Sequence, residues 1–209
     1  MEIHWHLTRA DENDDVMAAD AECVFEIEGV IQCDGVAAGE VGATYVFSED
    51  PISDDAFLWL WDLTAAACDI YEEIVLPGRR GFRRPLADFL GRATGILCVH
   101  YIALKPAFRR RGLGREVMRE VVCRFADSRV GVVLLDAVPL QHRPGGDDDF
   151  FDEVRDLPLN APESDQARLI RYFESWGMVG VSGTRFLAAA PTSLCAEIDV
   201  DWYPGLLED

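Results

Sequence analysis

The chain has 209 residues, of which 49% are hydrophobic and 27% charged, and this length suits one sizeable hydrophobic core. Acidic residues outnumber basic ones by 38 to 19, so the net charge is −19 at pH 7. This charge argues against a nucleic-acid-binding protein and against a protein held on anionic membranes by basic patches. The start of the sequence lacks a basic stretch followed by an apolar run, so we expect a single cytoplasmic domain over residues 1–209.

In the first half of the chain, the residue pattern predicts strands first and helices after them. Apolar and polar residues alternate near the start, and two runs rich in β-branched and aromatic residues flank Asp34-Gly35. The elements predicted here are a strand at 3–7, a hairpin of residues 24–31 and 40–47, a helix at 54–75 and a short helix at 83–90.

The second half of the chain predicts alternating strands and helices. Its elements are a buried strand at 96–104, an amphipathic helix at 112–125, a buried strand at 130–138, a helix from Ser164 to about Trp176, and strands at 184–189 and 195–200. Residues 141–163, rich in Pro, Gly and Asp, form a predicted acidic insertion loop. Together these elements predict one α/β domain.

The cysteine and histidine patterns indicate neither a disulfide framework nor a metal site. Six cysteines are scattered without a C-x-x-C pair and lie mostly in apolar runs, which is typical of reduced core thiols. They are Cys23, Cys33, Cys68, Cys98, Cys123 and Cys195. His4 and His6 share one face of a strand, but no third ligand is apparent, so we expect no metal.

A basic, glycine-containing segment links the 96–104 strand to the following helix. Residues 79–129 carry 13 basic and 4 acidic side chains, a net charge of +9, whereas the rest of the chain sums to −28. Within this basic segment, Arg109-Arg110-Arg111-Gly112-Leu113-Gly114-Arg115 leads into the helix. Unpaired amides at a helix N-terminus, glycines that allow close approach and arginine side chains together predict an anion cradle suited to a diphosphate.

This segment resembles the signature of the Gcn5-related N-acetyltransferase (GNAT) superfamily, [Q/R]-x-x-G-x-[G/A], at Arg109, Gly112 and Gly114, with Leu104-Lys105-Pro106 upstream. The resemblance implies a mixed α/β (α+β) fold. Its sheet would be mostly antiparallel, with six to seven strands, a splayed pair of parallel central strands and flanking helices. It also implies that residues 109–115 hold the pyrophosphate of acetyl-CoA. The backbone of Ile102, Ala103 and Leu104 would then pair with the pantetheine arm.

A second block of the family pattern matches imperfectly in the last predicted helix. Gln166 takes the place of the family's Asn, which implies contact with the coenzyme, and Phe173 takes the place of its Tyr. The family's tyrosine commonly serves as general acid for the departing thiolate, and here the neighbouring Tyr172 is the candidate. Because a thiolate leaves readily, water could take this role, or no acid could be needed. One residue turns a helix by about 100°, so Tyr172 would need a shifted register. A packing role for Tyr172 is the alternative.

The general base is open at this stage. Where family members place a glutamate on the central strand this chain has Cys98, and His100 shares that strand face two residues on. A histidine with a pKa near neutrality can accept a proton from an ammonium group through water, and packing in the core is its alternative role. Glu72, Glu73 and Asp136 are rival bases.

The sequence thus predicts an acetyl-CoA-dependent N-acetyltransferase acting on a primary amine, either a small cationic molecule or a basic peptide. Acetyl-CoA is the cosubstrate, and no nucleic acid or membrane is expected as partner. Monomer and homodimer both stay open. The alternatives are a non-catalytic acyl-CoA-binding or partner-binding module on the same fold, and a phosphate-binding regulator without coenzyme specificity.

Overall fold

The structure is a computed structural model that describes residues 1–9, 23–48, 72–74, 82–140 and 161–195, and every structural statement below concerns these residues. The strands are β1 (Glu2–Arg9), β2 (Cys23–Cys33), β3 (Val36–Phe47), β4 (Gly95–Leu104), β5 (Val130–Asp136), β6 (Val179–Gly180) and β7 (Phe186–Ala189). The helices are α1 (Leu86–Leu90), α2 (Leu113–Phe125), α3 (Pro162–Glu174) and α4 (Pro191–Cys195), with a 3-10 turn at Pro106–Phe108 and helical residues at 72–74.

The seven described strands form one mixed sheet in the order β1-β2-β3-β4-β5-β7-β6. Every neighbouring pair is antiparallel except β4 and β5, which are parallel. Helices flank the sheet, so the predicted fold class is confirmed: a mostly antiparallel sheet with one parallel central pair.

The hairpin between β2 and β3 forms at the predicted turn. Asp34 and Gly35 have φ angles of 53° and 75°, and a two-residue turn with both residues left-handed matches the twist of the flanking strands. The register shifts between Ile31 and Gln32, where a bulge lies just before the turn.

The sheet separates two hydrophobic clusters. The first packs the buried face of α2, including Val117 and Val121, with Phe173 of α3 against residues of β2–β5. The second packs Leu86 and Leu90 of α1 against the strands on the other side. Because α2 and α3 lie on the same side, the loop before α2 and one face of α3 come together near the end of β4.

A bulge in β4 reverses which of its residues face the first cluster. Ala43 of β3 pairs with Val99, but the preceding residue, Gly42, pairs with Tyr101, so His100 is the extra residue. Leu97 and Val99 therefore pack in the first cluster before the bulge, and Ile102 and Leu104 pack against it after the bulge. The sequence shows one continuous apolar run and gives no sign of this reversal.

Several predicted boundaries shift. Helix α3 begins at Pro162 and not at Ser164, and its N-cap, Ala161, has no side-chain capping bond. A strand beginning at Cys195 is wrong, because Cys195 ends helix α4, while residues 196–200 lie outside the described part. The two-residue strand β6 was not predicted.

Other predictions fall largely outside the described residues. The predicted helix at 54–75 is described only at 72–74, and the acidic loop at 141–163 only at 161–163. The single domain over 1–209 therefore stays a prediction. None of the helices in the described ranges is long and apolar enough to cross a membrane.

Candidate functional site

A cavity of about 520 Å³ lies among the second half of β4, the end of β5, the N-terminus of α2 and one face of α3. Its volume is in the range of small-molecule and cofactor sites. It brings together most of the residues predicted for a site: His100, Ile102, Ala103, Leu104, Arg109, Arg110, Gly112, Leu113, Gly114 and Tyr172. Arg111, Arg115 and Gln166 are not among its lining residues.

The cavity occupies a gap that opens between β4 and β5. The parallel ladder between these strands pairs residues from Gly95–Val130 to Val99–Leu135. The ladder between β4 and β3 continues to Leu104. Beyond Val99, β4 thus keeps β3 on one side and faces the cavity on the side toward β5. This edge of the backbone is the part of β4 that a ligand can pair with.

The predicted anion cradle has the expected backbone. After the turn at Pro106–Phe108, Arg110 has φ +60°, and Gly112, the N-cap of α2, has φ +81°. No side chain caps this end of α2. The first bonds to the N-cap carbonyl come from the amides of Arg115 and Glu116, so those of Leu113 and Gly114 precede the helical ladder and add to its positive end.

Arg109 is the arginine of this segment best placed to hold an anion. Its Nε donates a 2.7 Å hydrogen bond to the Leu104 carbonyl, which fixes the guanidinium beside the end of β4. Its Nη1 is buried without a hydrogen-bond partner among the described residues. Burial lowers the pKa of Arg109, although an arginine still remains charged at neutral pH. A buried cationic donor with spare capacity at an uncapped helix N-terminus fits a bound anion.

The other arginines of the segment lie nearer the surface. Arg110 lines the cavity but is exposed, and the Arg111 guanidinium lies 5.7 Å from the Phe108 ring centroid in a cation–π contact. Arg115, also exposed, lies close enough to Tyr172 to act on its titration. Arg110, Arg111 and Arg115 are therefore exposed side chains of the cradle segment, whereas Arg109 is half-buried and lines the cavity.

One face of α3 forms the opposite wall, at the spacing expected of a helix. It consists of Asp165, Arg168, Leu169, Tyr172, Phe173 and the following Trp176. Gln166 lies one position off this face, and the lining residue is the buried Asp165, whose Oδ1 lies 3.1 Å from Arg168 Nη2. Sequence reasoning missed Asp165, although Asp165 and Tyr172 show the same seven-residue spacing as Gln166 and Phe173.

The Tyr172 hydroxyl lies beside the cradle. A methyl group at Gly114 would sit 3.6 Å from the hydroxyl oxygen and 3.9 Å from the Trp176 ring. Tyr172 is 45% exposed, whereas Phe173 is buried in the first cluster. Burial raises the pKa of Tyr172, and the positive charge of Arg115 partly opposes this. The hydroxyl is thus a protonated hydrogen-bond donor near neutral pH, close to the positive end of α2.

His100 lies at the bulge and lines the cavity, as does Asp136. Its Nε2 is 2.6 Å from Oγ1 of the buried Thr44, which pairs with Cys98 across the ladder. Cross-strand partners share a face of the sheet, so His100 lies on the Cys98 face as predicted. The buried hydroxyl of Thr44 fixes the orientation of the imidazole.

The rival bases differ in their surroundings. Glu73 and Asp136 both bond to Arg185, Asp136 through Oδ1 at 3.0 Å from Nε. Glu72 is exposed. If Glu73 or Asp136 accepted a proton, its ion pair with Arg185 would weaken. No cluster of three or more His, Cys, Asp or Glu side chains that could hold a metal ion occurs within the described ranges.

Comparison with known proteins gives one similar solved structure and no matching family. No family model matches the sequence, and no curated protein matches it. Among solved structures, the chain is similar to that of a tyrosine-to-phenylalanine mutant of the AtaT toxin bound to the C-terminus of the antitoxin AtaR and acetyl-CoA. The similarity covers 93% of this chain and 96% of that chain, with 10% sequence identity and a TM-score of 0.39. At this level of similarity the neighbouring structure says nothing about the function of the site.

Proposed function

We propose that this protein binds acetyl-CoA in the cavity beside β4 and transfers the acetyl group to an amine. The observation that carries the proposal is the half-buried Arg109 side chain at the uncapped start of α2, whose Nη1 is buried without a hydrogen-bond partner among the described residues. This cationic end adjoins the gap between β4 and β5, so an anionic head and a long, slender arm have adjacent places to bind.

The residues of the cradle fit the pyrophosphate of the coenzyme. The amides of residues 109–114 and the Arg109 side chain would hold its oxygens, while Arg110, Arg111 and Arg115 would add longer-range positive charge. The backbone of Ile102, Ala103 and Leu104, along the open edge of β4, would pair with the amides of the pantetheine arm. When bound, the coenzyme supplies an acetyl thioester activated for attack by an amine.

His100 is the proposed general base. It lines the cavity, and its imidazole is held by Thr44. Among the rivals, Asp136 and Glu73 are bound to Arg185, and exposed Glu72 is not among the lining residues. Removal of a proton from an ammonium group frees the nitrogen lone pair for attack, and an imidazole, whose ordinary pKa lies near neutral pH, can accept that proton.

Tyr172 stays a prediction as general acid for the departing thiolate. Its hydroxyl is a protonated donor in the cavity, which suits that role. Its place beside Gly114 favours a second role, a hydrogen bond to the phosphates at the cradle. The pantetheine arm separates the phosphates from the thioester. In one position, Tyr172 would therefore either bond to the phosphates or protonate the thiolate, and not both.

The acceptor that we propose is a cationic amine, either a small molecule or a basic peptide. The support is the acidic charge of the chain outside residues 79–129, which would raise the local concentration of a cation.

A thermal-shift comparison of acetyl-CoA, CoA, ATP and NAD tests the binding proposal. Ligands that bind only the folded state raise the melting temperature according to their concentration over Kd. We expect acetyl-CoA and CoA to stabilise the protein far more than ATP or NAD at equal concentration. Equal shifts by all four would favour a general phosphate-binding regulator, and no shift would overturn the site.

Acetyl transfer to a panel of amines then tests the reaction. Phe173 at the position of the family's tyrosine favours the alternative, a non-catalytic acyl-CoA-binding module. Tight binding of acetyl-CoA with no transfer to any amine would support that alternative. A transfer rate that depends on His100, measured with His100→Gln and the wild type across pH, would support catalysis.

A further inference from the structure

Two cysteines outside the cavity lie in direct contact. The sulfur of Cys123, in the last turns of α2, is 3.0 Å from the sulfur of Cys195, the last residue of α4. The two residues are 72 positions apart in the sequence. Their closeness therefore comes from the fold and not from the local chain.

The helices that carry these cysteines are anchored beside each other. Val121 and Val122 of α2 and Leu194 of α4 are all buried in the first hydrophobic cluster. Each cysteine is thus adjacent, or nearly so, to a residue held in the core. The contact between the sulfurs is imposed by packing on both sides.

The pair is placed where an oxidant can reach it. Cys123 is exposed and Cys195 is half-buried, whereas Cys98 is fully buried in the second cluster. This differs from the expectation of core thiols for all six cysteines. A disulfide needs the sulfurs at about 2.05 Å, so a closing movement of about 1 Å is enough.

We propose that Cys123 and Cys195 form a reversible disulfide when the protein meets a hydroperoxide. The Cys123 sulfur attacks one peroxide oxygen and breaks the O–O bond, which gives a sulfenic acid and, from hydrogen peroxide, one water. The Cys195 sulfur then attacks the Cys123 sulfur and displaces the sulfenic oxygen, which leaves as a second water with the thiol proton. Two thiols are oxidised by two electrons in total, and one peroxide is reduced.

The surroundings of the two thiols assign these roles. Burial, together with the contact to Cys123, raises the pKa of Cys195 to about 12. Cys195 is then a neutral thiol near pH 7 and a poor first target for peroxide, which reacts with thiolates. The exposed Cys123 meets the oxidant first, and Cys195, already in contact, resolves the sulfenic acid by proximity.

The disulfide would link α2 covalently to the end of α4 and close a long loop of chain. Such a link stabilises a fold mainly by restricting the unfolded chain. The other end of α2, at Gly112, forms part of the predicted anion cradle. This inference does not depend on the proposed enzymatic activity.

Peptide mapping of the full-length protein tests the proposal. The protein is treated with a small excess of hydrogen peroxide, blocked with N-ethylmaleimide and digested with trypsin without reduction. Cleavage after arginine places Cys123 alone in residues 120–124 and Cys195 alone in residues 186–209. We expect these two peptides joined with the loss of two hydrogens, and separated again by dithiothreitol. The oxidised protein should melt higher by on the order of 10 °C.

Matched variants make the result decisive. Cys123→Ser and Cys195→Ser should each abolish the joined peptide and the rise in melting temperature. Cys33→Ser removes a half-buried thiol on β2 and should leave both intact. Oxidation of Cys123 to sulfinic or sulfonic acid with Cys195 still reduced would overturn the proposal. So would joined peptides with no thermal effect, or peroxide leaving both thiols unchanged.

Discussion

At the scale of single residues, Arg109 differs from the arginines around it in what its side chain touches. Its Nε bond to Leu104 ties the cradle to the end of β4, and its buried Nη1 has spare hydrogen-bonding capacity. Arg110 and Arg111 are exposed to solvent. Charge on an exposed side chain is screened by water and salt, so Arg109 should contribute most to binding.

Arg109→Ala should weaken acetyl-CoA binding by about 10- to 100-fold, because hydrogen bonds to charged groups contribute about 1.5–3 kcal/mol. Arg124→Ala removes the same charge from the exposed last turn of α2 and should leave Kd within about 2-fold. Isothermal titration of both variants measures the difference. Equal losses would mean that net charge, and not the Arg109 contact, governs binding.

Tyr172→Phe separates the two roles of its hydroxyl. Since this group lies beside Gly114, we expect the KM for acetyl-CoA to rise about 3- to 10-fold while kcat stays within about 2-fold. A general acid would instead show a fall in kcat of about 100-fold or more with KM little changed. Steady-state kinetics distinguish these outcomes, and the second would restore the catalytic role.

The family pattern placed the α3 residues one position away from where the cavity needs them. It assigned Gln166 and Phe173, whereas Asp165 and Tyr172 lie on the lining face, together with Arg168. A one-residue offset rotates a side chain by about 100°, so Gln166 lies off the wall, while the ring of Phe173 still lines the cavity. Spacing alone does not fix this rotation, because it depends on how α3 packs on the sheet.

At the scale of elements, α2 shows why its two glycines are not equivalent. Gly112 is left-handed, with φ +81° and nothing within 4 Å of a potential side chain, so its requirement is conformational. Gly114 lies within the first turn of the helix and faces Tyr172 and Trp176 at ordinary contact distances. The first glycine is needed for the turn, whereas the space beside the second can take a methyl group without a clash.

Gly112→Ala should lower the free energy of unfolding by about 1 kcal/mol, because an alanine is strained in the left-handed region. Gly114→Ala should leave it unchanged or raise it by up to about 1 kcal/mol, because alanine favours the helix. Urea denaturation of both variants measures the two effects. A destabilised Gly114→Ala protein would show that the contact with Tyr172 and Trp176 is tighter than described.

The strand–loop–helix at residues 95–125 could be predicted from the sequence, but the β4 bulge could not. The apolar run, proline, arginines and glycines each have a local physical meaning, so their order predicts the cradle. The bulge at His100 depends on where β3 pairs, and Gly42 leaves room there for the Tyr101 ring. Contacts between distant segments decide it, and no local pattern encodes them.

At the scale of the whole molecule, the net negative charge affects stability, and the positive segment affects binding of the proposed ligand. The chain carries −19 overall, so its folded state is destabilised by repulsion that salt screens. The segment at residues 79–129 carries +9 and would attract the proposed anionic ligand through a field that salt also screens.

Raising NaCl from about 0.05 M to about 0.5 M should therefore raise the melting temperature of the free protein and weaken its binding of acetyl-CoA. Differential scanning calorimetry measures the first effect and titration the second, in the same buffers. Both quantities moving in the same direction would contradict the separation of charge proposed for this molecule.

The elements of the fold that have a signal in the local sequence could be predicted, and the shortest elements could not. The hairpin at Asp34-Gly35 and the parallel pair of apolar strands follow from turn chemistry and hydrophobic runs. The two-residue strand β6 and the α4 helix carry too few residues for any periodicity. Such short elements form because β7 and the core hold them in place.

The gap beside β4 makes this strand central along Gly95–Val99 and an edge strand along residues 100–104. Natural sheets keep their edges short or covered, because an exposed edge pairs with any extended chain. Here the edge borders the cavity, where it is open to a partner that carries amide groups. Recognition by main-chain groups is indifferent to side-chain identity, so a ligand that pairs with residues 102–104 would still bind after one apolar side chain there is exchanged for another.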